Sequence, residues 1–508
     1  MHHDTMKKNL IELIRRTSAF LPPDVNEVLQ TGLSWDKGNT MAEFAMDMIA
    51  QNVGLAKKRS LPICQDTGTI GFYVHAPKNF DHAMFKLAAR EAVEEATAVG
   101  YLRQNSVDSI TGKNTGNNLG PGHPSFHIEQ WDKETVDVRL VLKGGGCENM
   151  STQYKLPAVI AEKKVGRDLD GVYACVMDAV HQAQGKGCGP GFLGVCIGGD
   201  RADGYAHAKA QLLRPLDDSN PNPELAALES RIVTDANQLS IGPMGFSGKF
   251  TLGSCKIGTL NRLPASFFVS VAYMCWAYRR RGAVMKPDGT VVEWLYQEPG
   301  EFDAPIEMEE TFEVRQKNIT SLNLPLSEKD VRDLHVGDTV LLNGILFTGR
   351  DAVHKYLHDG GKLDVIQGGV IYHCGPVVVE KDGTYQVMAA GPTTSIREEP
   401  YQGDIIKEFS IRAVIGKGGM GEKTLQACKE HGAVYLHAIG GAAQIYALCV
   451  EEVRNVYLKE QFGSPEAVWE LRVKNFPAVV TMDSHGKSLH REVENQSYNK
   501  LKSLLSNK

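Results

Sequence analysis

The chain has 508 residues, which is more than one ordinary hydrophobic core uses and indicates about two to four domains. Hydrophobic residues make up 42% and charged residues 23%, and the net charge of −6 gives no reason to expect nucleic-acid or membrane binding. No apolar run approaches the roughly 18–20 residues that span a bilayer, and residues 1–16 lack the uncharged core of a secretory signal. We therefore expect a cytoplasmic protein.

The first part of the chain, to about residue 115, is predicted to be mainly helical. Apolar residues recur at spacings of three and four in the segments 7–16, 41–58 and 82–99. From about residue 124 the pattern changes to short β-branched or alternating runs bounded by glycines, which indicates strands. The apolar run at 265–281 is also β-rich and ends in a cluster of three arginines. These patterns together predict a mixed α+β unit over residues 1–285.

The second part of the chain alternates between strand and helix patterns. Residues 286–324 are rich in Pro, Gly and acidic residues, which indicates a linker. Beyond it, segment 411–441 has the order strand, glycine turn, helix, strand, which is a βαβ pattern. We therefore predict a smaller α/β unit over 325–480, followed by a C-terminal tail over 481–508.

The segment LPICQDTGT, at 61–69, is unusual for a core because a cysteine is flanked by an amide and a carboxylate. Burying Gln65 and Asp66 is costly unless both side chains are hydrogen-bonded or functional. Composition alone favours a structural turn, in which Asp66 bonds its own backbone and Cys64 packs beneath.

Ten cysteines are scattered along the chain without the spacing of a disulfide scaffold. Cys188 lies in the loop GKGCGPG, whose backbone N–H groups suit the sulfides of a cluster or an anion, and Cys275 ends an apolar run. Cys147 follows three glycines and is ambiguous. Packed thiols are expected where the neighbours are apolar, at Cys175, Cys196, Cys428 and Cys449. Spacing alone selects no ligand set, because no CxxC run is present.

Several short motifs together resemble the class I, iron–sulfur-dependent fumarate hydratases, whose relatives include L-tartrate dehydratases and mesaconases. The motifs are PxCQDTGT, KGGGxxN, a Gly-Pro loop before a GVxIGG strand, NGxxxxGRDxxH, GPTT and a GKG turn. The resemblance covers almost the whole chain. It implies a cluster-binding α+β N-terminal domain and a smaller α/β C-terminal domain of the swivelling β/α/β-like type.

The resemblance also implies a [4Fe–4S] cluster held by three thiolates, which leaves one iron open to act as a Lewis acid. The implied cluster ligands are Cys64, Cys188 and Cys275. A small dicarboxylic acid needs cationic partners, and guanidinium groups bind carboxylates bidentately. The implied substrate-binding residues are Gln65, Arg103, Gly146, Arg350, Arg397 and Lys417.

Hydration of a double bond needs a proton donor and acceptor beside the substrate. By resemblance these roles fall to Asp66 and Thr393, and Arg397, four residues beyond Thr393, is positioned to stabilise its alkoxide. The alternative for Thr393 is a turn hydroxyl bonded to a neighbouring amide. Because Asp66 belongs to the first unit and Thr393 to the second, we expect the active site in the cleft between them.

One position departs from the family pattern. The fumarate hydratases have a histidine about twelve residues before the third cluster cysteine, and here that position is Leu263. An apolar side chain next to the substrate is compatible with an extra methyl group. The departure therefore suggests mesaconate, hydrated to (S)-citramalate, beside fumarate, hydrated to (S)-malate.

The strongest rival within the sequence is GKGGMG at 416–421, which matches the dinucleotide-binding turn G-x-G-x-x-G. A nicotinamide-binding unit also needs an acidic residue at the end of the next strand, but that strand ends at His437, Ala438 and Ile439. We therefore expect this turn to carry Lys417 into the active site.

Two further alternatives remain at this level. L-tartrate dehydratases share the cluster and the reaction type, but usually divide the two units between subunits. A non-catalytic iron–sulfur sensor would be expected to lack the acid–base pair, whereas Asp66 and Thr393 are both present. The resemblance also implies a homodimer.

Overall fold

The computed structural model describes residues 2–38, 40–298, 300–302, 311–316 and 318–506. The fold is mixed α+β with several sheets. The helices of the first unit are α1 (His2–Ala19), α2 (Pro23–Leu33), α3 (Thr40–Arg59), α4 (His82–Ala98), α5 (Gly145–Met150), α6 (Leu169–Ala183), α7 (Arg201–Gln211) and α8 (Pro223–Gln238). Its strands are β1 (Thr69–Ala76), β2 (Ser125–Gln130), β3 (Val136–Lys143), β4 (Thr152–Lys155), β5 (Ala158–Ile160), β6 (Lys163–Val165), β7 (Gly191–Gly198), β8 (Leu252–Leu260), β9 (Phe268–Met274), β10 (Arg279–Met285) and β11 (Val291–Leu295).

One sheet of the first unit has the strand order β11-β10-β3-β1-β2. Helices α1 and α4 cover it and bury their apolar stripes against it. Thr69, the first residue of β1, pairs with Lys143, the last residue of antiparallel β3. The segment before β1 and the glycines after β3 therefore emerge side by side, which brings Cys64–Asp66 next to Gly144–Gly146.

The other large sheet of this unit has the order β4-β9-β7-β8. Antiparallel pairing of β7 with β9 places Phe192 opposite Met274. The loop before β7 therefore lies beside the end of β9, and the backbone N–H of Trp276 donates to the carbonyl of Cys188 at 3.3 Å. This register brings Cys188 and Cys275 together.

The second unit has helices α9 (Glu328–Arg332), α10 (Asp351–His358), α11 (Glu399–Glu408), α12 (Glu422–His431), α13 (Ala443–Leu448) and α14 (Lys459–Phe462). Its strands are β12 (Ile319–Asn323), β13 (Thr339–Thr348), β14 (Val370–Tyr372), β15 (Val377–Lys381), β16 (Thr384–Ala389), β17 (Ala413–Gly416), β18 (Val434–His437), β19 (Val450–Tyr457) and β20 (Val468–Met482). The main sheet closes on itself, because β13 pairs with β14 in parallel and with β20 in antiparallel. Strands β13, β14, β17 and β18 run parallel, so their carboxyl ends meet at one rim.

The segment 286–324 contains regular structure at both ends. β11 extends the first unit's sheet by pairing with β10, and β12 begins the second unit by pairing with β13. Residues 303–310, in the middle of this expected linker, lie outside the described residues. The linker character is therefore restricted to a shorter stretch than the Pro- and Gly-rich composition indicates.

Several element predictions are confirmed. Strand β17, helix α12 and strand β18 follow in the expected βαβ order, and β9 and β10 form from the apolar run at 265–281. The predicted C-terminal tail over 481–508 contains a final helix, α15 (Leu489–Ser506), which packs its buried Val493, Leu501 and Leu505 against the first unit near α6. None of the helices in the described residues is long and apolar enough to span a membrane.

Candidate active site

A cleft of about 630 Å³ lies between the two units and is lined by residues of both. The second unit contributes the residues that follow the carboxyl ends of its parallel strands, with Arg350 after β13 and Lys417 after β17. The first unit contributes the segment before β1 and the glycine turn after β3. The expected position of the site, between the units, thus coincides with a cleft of a size suited to a small ligand.

The three cysteines expected to hold a cluster, Cys64, Cys188 and Cys275, are all buried beside this cleft. The three thiols are close enough to influence one another's ionisation. Burial raises the pKa of Cys188 to about 11, and Lys417 opposes that shift. A bound metal would displace these protons, as thiolate ligation requires.

Cys147 is a fourth thiol in the same group. It lies in the first turn of α5, directly after Gly146, and is close enough to Cys275 for each thiol to affect the other's ionisation. Cys275, together with the ammonium groups of Lys143 and Lys417, lowers the pKa of Cys147. Cys147, which the sequence left ambiguous, therefore lies in the same cluster of thiols as Cys64, Cys188 and Cys275. Cys175 and Cys428 are instead buried in α6 and α12.

The surroundings of the thiols fit an anionic cluster. A Cβ added to Gly440 would lie 2.4 Å from Sγ of Cys188 and 2.8 Å from Cδ of Lys417, so a side chain there would close the space beside the thiols. Two cations, the half-buried Lys417 and the buried Arg279, face these thiols without a carboxylate ion-pair partner among the described residues. No three His, Cys, Asp or Glu side chains in those residues converge on a single-ion site, and a multi-atom cluster takes its thiolates from wider spacing.

Lys417 reaches the thiols directly. Its Nζ donates to Sγ of Cys188 at 2.8 Å, and a Cβ on Gly146 would lie 3.3 Å from the same Nζ. The glycine turn GKG is held in place by the GPTT turn, since Thr394 and Lys417 form a parallel β-bridge. Lys417 therefore lies at the floor of the cleft, between a thiol and the glycine turn that carries Gly146.

Asp66 sits among cations. Its Oδ1 lies 3.4 Å from Nη2 of Arg103, and its Oδ2 accepts from the backbone N–H of Gly146 at 3.4 Å. Burial opposes ionisation of this carboxyl, but Arg103, Arg279 and Lys417 outweigh it and lower the pKa of Asp66. Asp66 is therefore a carboxylate at neutral pH, able to accept a proton.

Each of the three expected substrate-binding arginines has a carboxylate partner. Arg103 pairs with Asp66, Arg350 with Glu466 at 2.9 Å, and Arg397 with Asp351 at 3.1 Å. In addition, Nη1 of Arg103 donates to the carbonyl of Gly375 at 2.8 Å, which ties the first unit to the second. The buried Nε atoms of Arg350 and Arg397 have no hydrogen-bond partner among the described residues, so both guanidinium groups retain donor capacity for a ligand.

Thr393 lies at the edge of the cleft in the GPTT turn. Its backbone N–H donates to the carbonyl of His373 at 2.7 Å, and its Oγ1 accepts from Nη2 of Arg397 at 3.1 Å. The alternative prediction for Thr393 was a turn hydroxyl bonded to a neighbouring amide. The partner of this hydroxyl is instead the guanidinium group of Arg397.

Gln65 connects the two units. Its Nε2 donates to the carbonyl of Pro392 at 2.9 Å, and its Oε1 accepts from Sγ of Cys64 at 3.5 Å. A Cβ on Gly391 would lie 2.2 Å from that Oε1, which explains why glycine precedes Pro392. Of the eleven residues singled out from the sequence, eight line this cleft, and the three cysteines are buried close to one another behind them.

Leu263 is not part of this site, and the expectation that it faces the substrate was wrong. It lies in the turn between β8 and β9, 74% exposed, at the opposite end of β9 from Cys275. It does not line the cleft. The seven residues of β9 span about 23 Å, so Leu263 and Cys275 lie at opposite ends of this strand. Their spacing along the sequence therefore does not bring Leu263 to the substrate pocket.

The dinucleotide alternative also finds no support in the GKGGMG turn. The N-terminus of α12, where a pyrophosphate would bind, is occupied by the side chain of Glu399. Its carboxylate accepts from the backbone N–H groups of Gly421, Lys423 and Thr424 at 2.8, 2.9 and 3.2 Å. The missing acidic residue after β18 and this internal carboxylate both argue against a nicotinamide site.

Sequence reasoning missed several residues of the site. Arg279 was noted only as part of a basic cluster, but its Nη2 donates to the carbonyl of Asp66 at 2.7 Å. Cys374 follows β14 and lies close enough to Arg103 and Arg350 for both to affect its ionisation. Its position two residues beyond β14, at the rim where the carboxyl ends of the parallel strands meet, follows only from the structure.

Comparison with known proteins agrees with this geometry. The family model described as "Fumarate hydratase (Fumerase)" matches residues 7–284, and "Fumarase C-terminus" matches residues 289–493. A Geobacillus stearothermophilus protein named "Putative fumarate hydratase class I" is 51% identical over 505 residues, covering 98% of each chain. The chain belongs to the class I fumarate hydratase family. It is accordingly a hydro-lyase of a family of iron–sulfur enzymes.

More distant members of the family are also similar. "Fumarate hydratase class I, aerobic" of Salmonella typhimurium is 26% identical over 467 residues, covering 87% of this chain and 77% of the relative. "L(+)-tartrate dehydratase subunit beta" of Escherichia coli K12 is 36% identical over 175 residues, covering 34% of this chain and 86% of the subunit. Family membership therefore extends to enzymes named for two different substrates.

Proposed function

We propose that the protein reversibly hydrates fumarate to (S)-malate, with a [4Fe–4S] cluster held by Cys64, Cys188 and Cys275. The observation that carries this proposal is the cleft itself, which two proton-transfer candidates and three arginines line, and from which Lys417 reaches the buried thiol of Cys188. When bound, such a cluster supplies a Lewis acid at the iron without a protein ligand.

The cations of the cleft would hold the two carboxylates of the substrate. Arg350 and Arg397, which carry unpartnered Nε donors, and Lys417 come from the second unit, while Arg103 comes from the first unit. Gln65 and Gly146 line the same cleft, where the backbone N–H of Gly146 holds Asp66. A planar dicarboxylate bound between opposed cations is fixed in one orientation, which favours addition to one face of the double bond.

Asp66 and Thr393 would move the protons. Hydration adds a hydroxyl group to one carbon and a proton to the other. One proton of water must therefore be accepted while another is given to carbon, and the accepted proton must return through solvent to the donor after each turnover. The cationic neighbours of Asp66 lower its pKa against the effect of burial, which keeps it ionised and so available to accept the proton of water. The hydroxyl of Thr393 would protonate the carbon, with Arg397 stabilising the alkoxide left behind.

Three alternative functions have weaker support. The only sequence argument for mesaconate was Leu263, which lies outside the cleft. L-tartrate dehydratase is supported by relatives that match about a third of the chain. A sensor would not need the acid–base pair that stands in the cleft.

We further propose a cytoplasmic homodimer, and assign the second unit to the swivelling β/α/β-like type, as the family resemblance implies.

The test is anaerobic purification, reconstitution with iron and sulfide, and measurement of absorbance of the conjugated double bond with fumarate, mesaconate and L-tartrate. Fumarate should be consumed fastest. Cys188→Ala should abolish both activity and the visible absorbance of the cluster, whereas Cys428→Ala, which removes a buried thiol in α12, should retain both. A fully loaded protein that turns over none of the three substrates would refute the proposal and favour the sensor reading.

A further inference from the structure

Two buried histidines lie behind the turns that carry the cleft residues. His354 closes the motif NGxxxxGRDxxH in α10, and His373 directly follows β14. Both residues are 0% exposed, and their rings pack edge to face with centroids 4.9 Å apart. Neither histidine lines the cleft, so the proposed reaction leaves both without a function.

One side chain, Gln402 of α11, lies within hydrogen-bonding distance of both rings. Gln402 is fully buried, and its Oε1 lies 2.9 Å from Nε2 of His354 and 2.9 Å from Nε2 of His373. Its Nε2 has no hydrogen-bond partner among the described residues. Gln402 therefore joins α10 to the segment after β14 through one end of its amide.

The partners of His354 determine how the amide of Gln402 is oriented. Nδ1 of His354 lies 2.9 Å from the carbonyl of Arg350, which only accepts hydrogen bonds, so Nδ1 carries the proton. Burial lowers the pKa of His354 and of His373, so both rings are neutral and Nε2 of His354 must accept. Turning the amide over places its nitrogen at this Nε2, and moves its oxygen to the position where the nitrogen had no acceptor.

The same amide nitrogen fixes the proton of His373. It carries two hydrogens, so it donates one to each ring, and Nε2 of His373 also accepts. Nδ1 of His373 then carries the proton and donates to Oγ of Ser395 at 2.8 Å, and the backbone N–H of Ser395 donates to the carbonyl of Lys417 at 3.0 Å. A Cβ on Gly416 would lie 1.9 Å from that Oγ and 3.2 Å from that Nδ1, so this contact requires glycine at the start of the GKG turn.

Both ends of this bridge are attached to turns that carry cleft residues. His354 donates to the carbonyl of Arg350, and the carbonyl of His373 accepts from the backbone N–H of Thr393 at 2.7 Å. Arg350 is the N-cap residue of α10 and Thr393 belongs to the GPTT turn, so the two lie on separate elements. The hydrogen bonds through Gln402 connect these elements without passing through the cleft itself.

We propose that Gln402 is a positioning residue that uses both hydrogens of its amide to hold His354 and His373. Held in this way, the two histidines fix Arg350 relative to Thr393. This inference rests on the proposed function, in which Arg350 binds a carboxylate of the substrate and Thr393 protonates carbon. A displacement of about 1 Å between groups that act on one substrate can cost about 10²-fold in rate. A buried bridge between the two turns limits such displacements.

The first test removes the bridge and leaves the cleft residues in place. Gln402→Met keeps the length of the side chain without its amide, and Gln426→Met, at an exposed glutamine of α12, is the matched control. Both are compared with wild type as cluster-loaded enzymes, with fumarate kinetics expressed per bound cluster and measured well below the lowest Tm. We expect kcat/KM to fall by about 10–10²-fold in Gln402→Met, with KM raised, and to be unchanged in Gln426→Met. A loss of folded protein alone would leave KM unchanged and would overturn the inference.

A double-variant cycle tests whether Gln402 acts through His354. His354→Asn keeps a donor toward the carbonyl of Arg350 but is too short to reach Gln402. If the two side chains act as one unit, the double variant should lose no more than about twofold in kcat/KM beyond Gln402→Met alone, because the bridge is already broken. Losses that multiply would show two independent effects and would overturn the inference.

The histidine tautomers give a readout that does not depend on turnover. With ¹⁵N-labelled histidine, the NMR spectrum of wild type should show neutral rings protonated at Nδ1 for both His354 and His373, each assigned by loss of its signal in the corresponding Asn variant. If these tautomers are found but no fumarate is consumed, the proposed function fails while the hydrogen-bond bridge stands. A proton on Nε2 of either ring, or wild-type kcat/KM in Gln402→Met, would overturn the inference.

Discussion

Nη2 of Arg397 lies 3.1 Å from Oγ1 of Thr393, and the same nitrogen is 3.1 Å from Oδ2 of Asp351. The hydroxyl of Thr393 is thus bonded to a fixed cation, which favours its alkoxide over that of a free threonine. Asp351 holds the guanidinium in this orientation. A hydroxyl, a cation and an orienting carboxylate form an arrangement suited to proton transfer.

We predict that Thr393→Val lowers kcat by about 10²–10⁴-fold, the usual contribution of a positioned acid–base group. The cluster absorbance and KM should change little, because valine keeps the shape of threonine. Thr393→Ser is the matched control and should retain most of the activity, since the hydroxyl remains. Steady-state kinetics on protein with measured iron content tests this, and wild-type kcat in Thr393→Val would exclude the role.

Gly440 provides a test of the space beside the thiols. Because a Cβ there would lie 2.4 Å from Sγ of Cys188, Gly440→Ala should prevent Cys188 from adopting a ligand position. We expect the variant to fold but to incorporate less iron and sulfide than wild type. Gly54→Ala, in helix α3 with nothing within 4 Å, is the control and should load normally. Equal iron content in the two variants would contradict the assigned position of the cluster.

Leu263 should not affect substrate choice. Its side chain is 74% exposed in a turn remote from the cleft, so Leu263→His should leave the ratio of fumarate to mesaconate rates unchanged to within about twofold. Competition assays with both substrates measure this ratio. A shift of tenfold or more would mean that this turn reaches a substrate pocket in the working enzyme.

The carboxylate of Glu399 should contribute to stability rather than to ligand binding. It accepts three backbone N–H bonds at the start of α12 and a fourth from the hydroxyl of Thr424 at 2.6 Å. Loss of such a cap costs about 1–2 kcal/mol, so Glu399→Ala should lower Tm, while the control Glu408→Ala should not. If calorimetry detected binding of a dinucleotide to the wild-type protein, the assignment of this helix N-terminus to the Glu399 cap would be contradicted.

Local pattern was sufficient for many of the elements. Helices α1, α3 and α4 follow from apolar residues at spacings of three and four, and the β17-α12-β18 unit follows from its glycine turn. Composition was less reliable between residues 286 and 324, because β11 and β12 are short strands whose stability comes from pairing with neighbours distant in the sequence.

The sequence by itself determined the family, the helix–strand order and a set of candidate residues, because motifs and periodicity are local. Only the tertiary structure decided which candidates meet. Lys417 reaches Cys188 across 229 positions of the chain, and Gln65 reaches Pro392 across 327. It also removed Leu263 and added Cys147 and Arg279, since burial and charge environment depend on strand register and domain contact, which local sequence does not encode.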